Sequence, residues 1–348
     1  ASSDDSNAMD SGYARGYNRF IDTHADQLPA SCAGAEWVKP IDERDLARLA
    51  IGVGIRYGLG RVTDQIATAA PNQAIAALKP IDLTLDVEKI GSNAYAFGSE
   101  LTDTGRGILL GNPHYPWQGP SRFHMAHLTL PGEIDFMGVG LIATPRLAIG
   151  FNDTIAWSHT VSTALRFTFF RLDLVPGNAM AYSVGDEERA IEAIEVAVET
   201  DAGIENRTVY LTHLGPVVAG PNTPWDDQHV YVMRDVNYEN YRTGDQYAAM
   251  QRATDVTQLR QALADHQGAA FVNTIAADKA GGALYADMSA IPNVSVELIS
   301  RCAVDQSAGA RITTLNGSDP SCDWQVDASA AAPGLMPPSQ QPSPTCSD

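Results

Sequence analysis

Gly91-Ser-Asn-Ala-Tyr-Ala-Phe-Gly-Ser-Glu100, followed by Leu109-Leu-Gly-Asn-Pro-His-Tyr-Pro-Trp117, marks the point where the 348-residue chain changes character. Upstream, residues 10–70 read as helical. Tyr13, Tyr17, Phe20 and Ile21 recur at helical spacing, and Asp42 is placed to cap a helix carrying Leu46, Leu49, Ile51 and Ile55. Residues 71–91, with Pro71 and Pro80 and no sustained period, read as a connector. Downstream, β-rich runs at 93–98, 107–110, 122–130, 133–144, 146–151, 154–161 and 166–175 are punctuated by Gly, Pro, Asn and Asp. A second β-rich stretch covers 180–235. Two helices follow near 241–253 and 255–265, then strands at Phe271–Ala276 and Ala283–Asp287, and the last 25 or so residues read as irregular. The pattern predicts layered α+β packing.

Composition removes whole classes of function. The chain carries 23 basic against 42 acidic residues, a formal net charge of −19. Such a surface neither neutralises phosphates nor sits on an anionic membrane, so neither nucleic acid nor membrane is an expected partner. No run of about 18 apolar residues offers a membrane span. Ala1-Ser-Ser-Asp-Asp5 has no Met, basic region or apolar signal core, so the expectation is a removed signal or a start inside a longer protein. Four cysteines (Cys32, Cys302, Cys322 and Cys346) allow three full pairings. Cys302 and Cys322 lie 20 residues apart across turn-rich sequence; a disulfide there suits an oxidising compartment, and buried free thiols are the alternative.

The familiar catalytic signatures are missing. The chain has no G-x-S-x-G elbow, H-E-x-x-H helix, Walker loop or G-x-G-x-x-G after a strand. His124 and His127 fall at i, i+3 in a predicted strand and so point to opposite faces, which suits no metal pair. What remains is Ser92, at the first residue of a strand just after the connector. Released as a new N-terminus, it would carry its own base: a free α-amine has a pKa of about 7.7–8.0.

The two opening motifs are joined by Arg122-Phe, His127-Leu-Thr-Leu-Pro-Gly132, Asp135-Phe-Met-Gly138, Ile149-Gly-Phe151, Ala156-Trp-Ser-His-Thr-Val161, Phe271-Val-Asn-Thr-Ile-Ala-Ala-Asp278, Ala283-Leu-Tyr285 and Leu315-Asn-Gly-Ser318. In that order they resemble the penicillin acylase family of N-terminal nucleophile hydrolases, specifically its acyl-homoserine-lactone, lipopeptide and aliphatic penicillin acylases. The resemblance implies a four-layer αββα sandwich, incomplete in this chain, and a secreted or periplasmic precursor that cuts itself into an α/β heterodimer. It divides the chain into 1–70 (the helical C-terminal part of the α-chain, around Tyr13-Ala-Arg-Gly-Tyr-Asn18), 71–91 (spacer) and 92–348 (the N-terminal part of the β-chain). Gly91–Ser92 is then the self-cleaved bond and Ser92 the nucleophile. His114 orients its amine, and Val161 donates a backbone N–H to the oxyanion. Tyr115, Met137, Leu141, Thr144, Ile149 and Val161 line the acyl pocket.

Two departures accompany the resemblance. The family's second oxyanion donor, an Asn, would fall just beyond Asp348, so the 348-residue chain is expected to be an internal fragment and a poor catalyst alone. The calcium-binding branch has an aspartate shortly after the Val161 position, where this chain has Ser162-Thr-Ala-Leu-Arg-Phe167; no calcium, other metal or cofactor is expected. The reaction implied is hydrolysis of a small-molecule N-acyl amide. The alternative that composition permits is a secreted, non-catalytic β-rich binding module, which has no reason to be cut at Gly91–Ser92.

Overall fold

Asp42 begins a helix because its carboxylate accepts the Arg44 and Asp45 N–H groups while Asp45 reaches back to the Asp42 N–H, a complete capping box. In the computed structural model, which describes residues 3–74, 79–83, 91–119, 121–142, 144–200, 202–304 and 313–346, this is helix α2 (Glu43–Gly54). It follows α1 (Asp4–Thr23), capped by Ser3, and precedes the short α3 (Thr63–Ala67). Of the expected connector, residues 75–78 and 84–90 lie outside the described residues.

The strand succession then begins with β1 (Gly91–Phe97), β2 (Ile108–His114), β3 (Phe123–Leu130), β4 (Ile134–Leu141), β5 (Ile149–Phe151) and β6 (Ile155–Val161). It continues with β7 (Phe167–Val175), β8 (Asn178–Val184), β9 (Glu187–Ala190), β10 (Glu192–Thr200), β11 (Gly203–Thr212), β12 (Gly215–Pro216) and β13 (His229–Asp235). Helices α4 (Thr243–Arg252) and α5 (Val256–His266) come next, then β14 (Val272–Asp278) and β15 (Ala283–Ala286). Helix α6 (Val296–Cys302), β16 (Ala303–Val304), β17 (Thr314–Asn316) and β18 (Thr345–Cys346) complete the order.

Three layers position the site. A seven-stranded sheet runs β18-β15-β14-β6-β5-β4-β3. Along β4 the burial alternates, with Ile134 and Phe136 turned inward, and Phe136 stacks on Trp157 at 4.6 Å. That face is sealed by Met250, Leu259 and Leu263 of α4 and α5. The β1–β2 hairpin lies across β6 and β14 and forms a separate two-stranded sheet. Its close approach needs bare backbone at Gly111, where a β-carbon would come within 2.9 Å of Ser158 Cβ. A six-stranded sheet built on β7 extends the fold, with β17 parallel to β7. Cys302 and Cys322 are joined, tying the end of α6 to the turn at 320–322; Cys32 and Cys346 are free.

The N-terminal segment is clamped to the sheets by Asp235 at the end of β13. Its carboxylate accepts the Leu59 N–H at 2.9 Å and the Asn237 N–H at 2.8 Å. Gly58 is obligatory beside it, since a β-carbon there would lie 1.9 Å from Asp235 Oδ2. Burial pushes Asp235 up to about 6, although the two N–H groups and Arg166 oppose the shift. Between pH 3.8 and about 6 the folded chain holds a proton the unfolded chain has lost, so this group favours folding at low pH and its contribution disappears as pH rises through 6. Thermal unfolding of wild type against Asp235→Asn from pH 5 to 7.5 should show wild type gaining relative stability toward pH 5; parallel curves would contradict the clamp's titration. Replacing both Cys302 and Cys322 with Ser should cost about 3 kcal/mol on the loop-entropy argument, read as a lower midpoint in urea.

Candidate active site

Ser92 stands opposite Pro113 in the β1–β2 ladder, and Gly91 opposite His114. The proline has no N–H to give across the ladder. The next donor, the His114 backbone N–H, points to Ser92 Oγ at 3.1 Å. The His114 imidazole flanks Gly91: a β-carbon there would be 4.0 Å from His114 Nδ1, while Nε2 lies 3.1 Å from Asn112 Nδ2. The sequence-predicted nucleophile, cleavage position and histidine are thus neighbours through strand register.

Ser92 opens on a cavity of about 220 Å³. Tyr115, Leu141, Thr144, Ile149 and Val161 line it together with Ser92, so five of the six expected pocket residues lie in the cavity wall. Met137 is not in that wall. It sits mid-strand on β4, across from His127 and Phe151, and is 37% exposed. A further part of the wall comes from α2, through Leu46, Ala47, Ala50 and Ile51. Leu46 and Ile51 belong to the apolar stripe that the helical spacing predicts; only the fold brings that stripe to the serine's cavity.

Tyr115 is fixed rather than free. It stacks on Phe123 at 5.0 Å, and burial, with Tyr57 adding to it, pushes it up to about 12, so it stays neutral. Tyr57 in turn packs edge-on against Phe271 at 4.4 Å. Val161 ends β6. The Ser162 N–H donates to the Phe271 carbonyl at 3.0 Å, which sets the ladder's phase and turns the Val161 N–H away from β14. His159 also lines the cavity; burial draws it down to about 4, so it is a neutral imidazole, with Nδ1 3.1 Å from the Asn273 carbonyl oxygen.

Part of the lining is polar. Arg146, 8% exposed, donates through Nη2 to the Ser6 hydroxyl at 2.8 Å and the Ser6 carbonyl at 3.1 Å, and lies 3.6 Å from Asp10. Burial raises Asp10 despite the guanidinium. Gly244 gives them room, since a β-carbon there would be 2.8 Å from Ser6 Oγ. Sequence reasoning missed all four; the i, i+4 spacing of Ser6 and Asp10 on one helix face was the available signal. Among the described residues no group of three or more His, Cys, Asp or Glu is arranged to hold a metal. His127 pairs with Asp135 at 2.5 Å instead. Chemically, the arrangement offers a serine hydroxyl and an N–H turned away from β14 at the wall of a mostly apolar cavity, which suits an acyl group.

A protein-family model described as penicillin amidase matches residues 1–345. An acyl-homoserine lactone acylase, PvdQ, of Pseudomonas fluorescens is 39% identical over 347 residues, 95% of this chain and 44% of that protein. Aculeacin-A acylase of Actinoplanes utahensis is 40% identical over 351 residues, again 95% and 44%. The chain therefore spans less than half the length of these curated relatives. A thermostable penicillin G acylase from Alcaligenes faecalis shares the fold, with a TM-score of 0.57 at 18% identity over 73% of this chain and 42% of that one.

The cavity's reach to α2 can be tested without turnover. Ala50→Trp should fill it and weaken binding of a fluorescent fatty-acyl probe at least tenfold while leaving the unfolding midpoint within a few degrees. Unchanged probe affinity would mean that the probe binds elsewhere.

Proposed function

The chain belongs to the penicillin amidase family, and we propose that it carries the nucleophile of an acylase that hydrolyses N-acyl amides through Ser92 as a self-generated N-terminus. The observation that carries this reading is the placement of Ser92: opposite Pro113, hydroxyl held by the His114 N–H, in the wall of an apolar cavity. The matched relatives support it too, since they are named as an acyl-homoserine lactone acylase and an aculeacin-A acylase.

In the precursor, Ser92 Oγ attacks the Gly91 carbonyl, the acyl group moves from nitrogen to oxygen, and water hydrolyses the ester. The freed α-amine then serves as base when Oγ attacks the substrate amide: it takes the hydroxyl proton and delivers it to the leaving amine, after which water cleaves the acyl–Oγ ester, releasing the acid and restoring the hydroxyl. His114, beside Gly91, orients that amine. The Val161 N–H, turned from its ladder, donates to the developing oxyanion, an interaction of the kind worth about 3 kcal/mol. The acyl chain lies among Leu141, Ile149 and the α2 side chains. On this reading residues 1–70 end an α-chain, 71–91 are spacer, and 92 onward begins the β-chain of a heterodimer. Export to an oxidising compartment fits the Cys302–Cys322 disulfide. A small amide is the substrate, be it a homoserine lactone, a lipopeptide or a penicillin.

The full-length precursor should yield two chains, the smaller-numbered residues ending at or before Gly91 and the other starting Ser-Asn-Ala-Tyr. Ser92→Ala should abolish both the cut at Gly91–Ser92 and turnover of N-acyl substrates of short and long chain. A Ser92→Ala precursor cut at the same bond sinks self-processing, and one that still turns over amides sinks the nucleophile.

A further inference from the structure

The five residues after Val161 are held more firmly than a loop needs. Ser162 is buried; besides its backbone bond to Phe271, its hydroxyl donates to Asp287 Oδ1 at 2.8 Å and accepts the Ala164 N–H at 3.2 Å. Arg166 is 3% exposed. Its Nη2 lies 3.7 Å from the same Asp287 oxygen, and its Nη1 donates to Ser289 Oγ at 2.8 Å and the Ala290 carbonyl at 2.9 Å. The Arg166 carbonyl accepts the Val236 N–H at 2.9 Å, and the Asp287 N–H is fixed to the Pro342 carbonyl at 2.8 Å. None of Ser162, Arg166, Asp287 or Ser289 lines the cavity, yet Val161, directly before Ser162, does.

A buried ion pair of this kind is a poor source of stability, because desolvating a guanidinium and a carboxylate offsets most of their attraction. What it does supply is a fixed geometry. Resting on the acylase reading above, we propose that Ser162, Asp287 and Arg166 are positioning residues for the oxyanion. They lock the turn 162–166 so that the Val161 N–H keeps its aim at the carbonyl oxygen of the group attacked by Ser92. Asp287 is the hub, bonded to the residue after Val161 and paired with the arginine that closes the turn.

The test uses the full-length processed enzyme, with active sites counted by stoichiometric labelling with a serine-directed sulfonyl fluoride. Displacing a catalytic group by about an ångström costs up to 10²-fold. Ser162→Ala, which removes only the hydroxyl, should therefore lower kcat per labelled site at least about tenfold with KM changed less than about twofold. Ser162→Thr should restore most of it, and Asp287→Asn should behave like Ser162→Ala or worse. If Ser162→Ala lowers only the unfolding midpoint and leaves kcat per site intact, or if KM rises in step with the loss, the positioning role is wrong. Wild-type enzyme that hydrolyses no N-acyl amide overturns the acylase reading and this proposal with it, a result distinct from a wild type that works and a Ser162→Ala that works as well.

Discussion

The antiparallel ladder between β1 and β2 is the constraint on which the site depends. It runs without a break from Gly91 opposite His114 to Phe97 opposite Ile108. Side chains alternate along a strand, so a slip of one residue would turn Ser92 from the cavity wall and carry His114 away from Gly91. Packing pins the register from a second direction. Gly107 donates to the Asp278 carbonyl at 3.0 Å and Ser99 to the Gly281 carbonyl at 2.9 Å, which fasten the hairpin to the end of β14. With the hairpin fixed over β6 and β14, Ser92 and the end of β6 meet at one cavity.

Part of that cavity's lining belongs to the N-terminal helices, and their attachment is electrostatic as much as apolar. Asp235 receives the Leu59 N–H in a space that only Gly58 leaves open, and Arg146 holds Ser6 and Asp10 of α1. Leu59 and Val62 are buried with Phe169 and Met233 at the same junction. The cavity wall is therefore a joint product of residues before 71 and after 91. A segment that loosened from these anchors would open the cavity without any change at Ser92.

Much of this was legible in the chain itself, for reasons that differ by element. Helix α2 was readable because Asp42 and the stripe at Leu46, Leu49 and Ile51 are local signals. Strands β3 to β7 were readable because apolar alternation and Gly, Pro or Asn breaks recur at strand spacing. Helix α6, seven residues long, gives under two turns of pattern, too little for its period to emerge. In the site, Ser92, His114 and Val161 are singled out by ordered motifs and their resemblance to a known family, and the strand register sets Ser92 beside His114. Arg146 and Asp10 are not singled out in that way, because their pairing joins residues more than 100 positions apart, and the α2 wall is not, because which side of that helix meets Ser92 is set by tertiary packing; no local spacing encodes either. Met137 illustrates the reverse: a residue of suitable type on the correct strand can still sit outside the wall.

The most direct test of the account is where an acyl group comes to rest. Full-length protein should be mixed with a slowly deacylating N-acyl substrate, quenched in acid, digested with trypsin and analysed by mass spectrometry. The account predicts the acyl mass on the peptide Ser92–Arg106, as an ester on Ser92 Oγ with the α-amine free to label with an amine reagent. An acyl group on any other residue, or an acylated Ser92 still joined to Gly91, would contradict it.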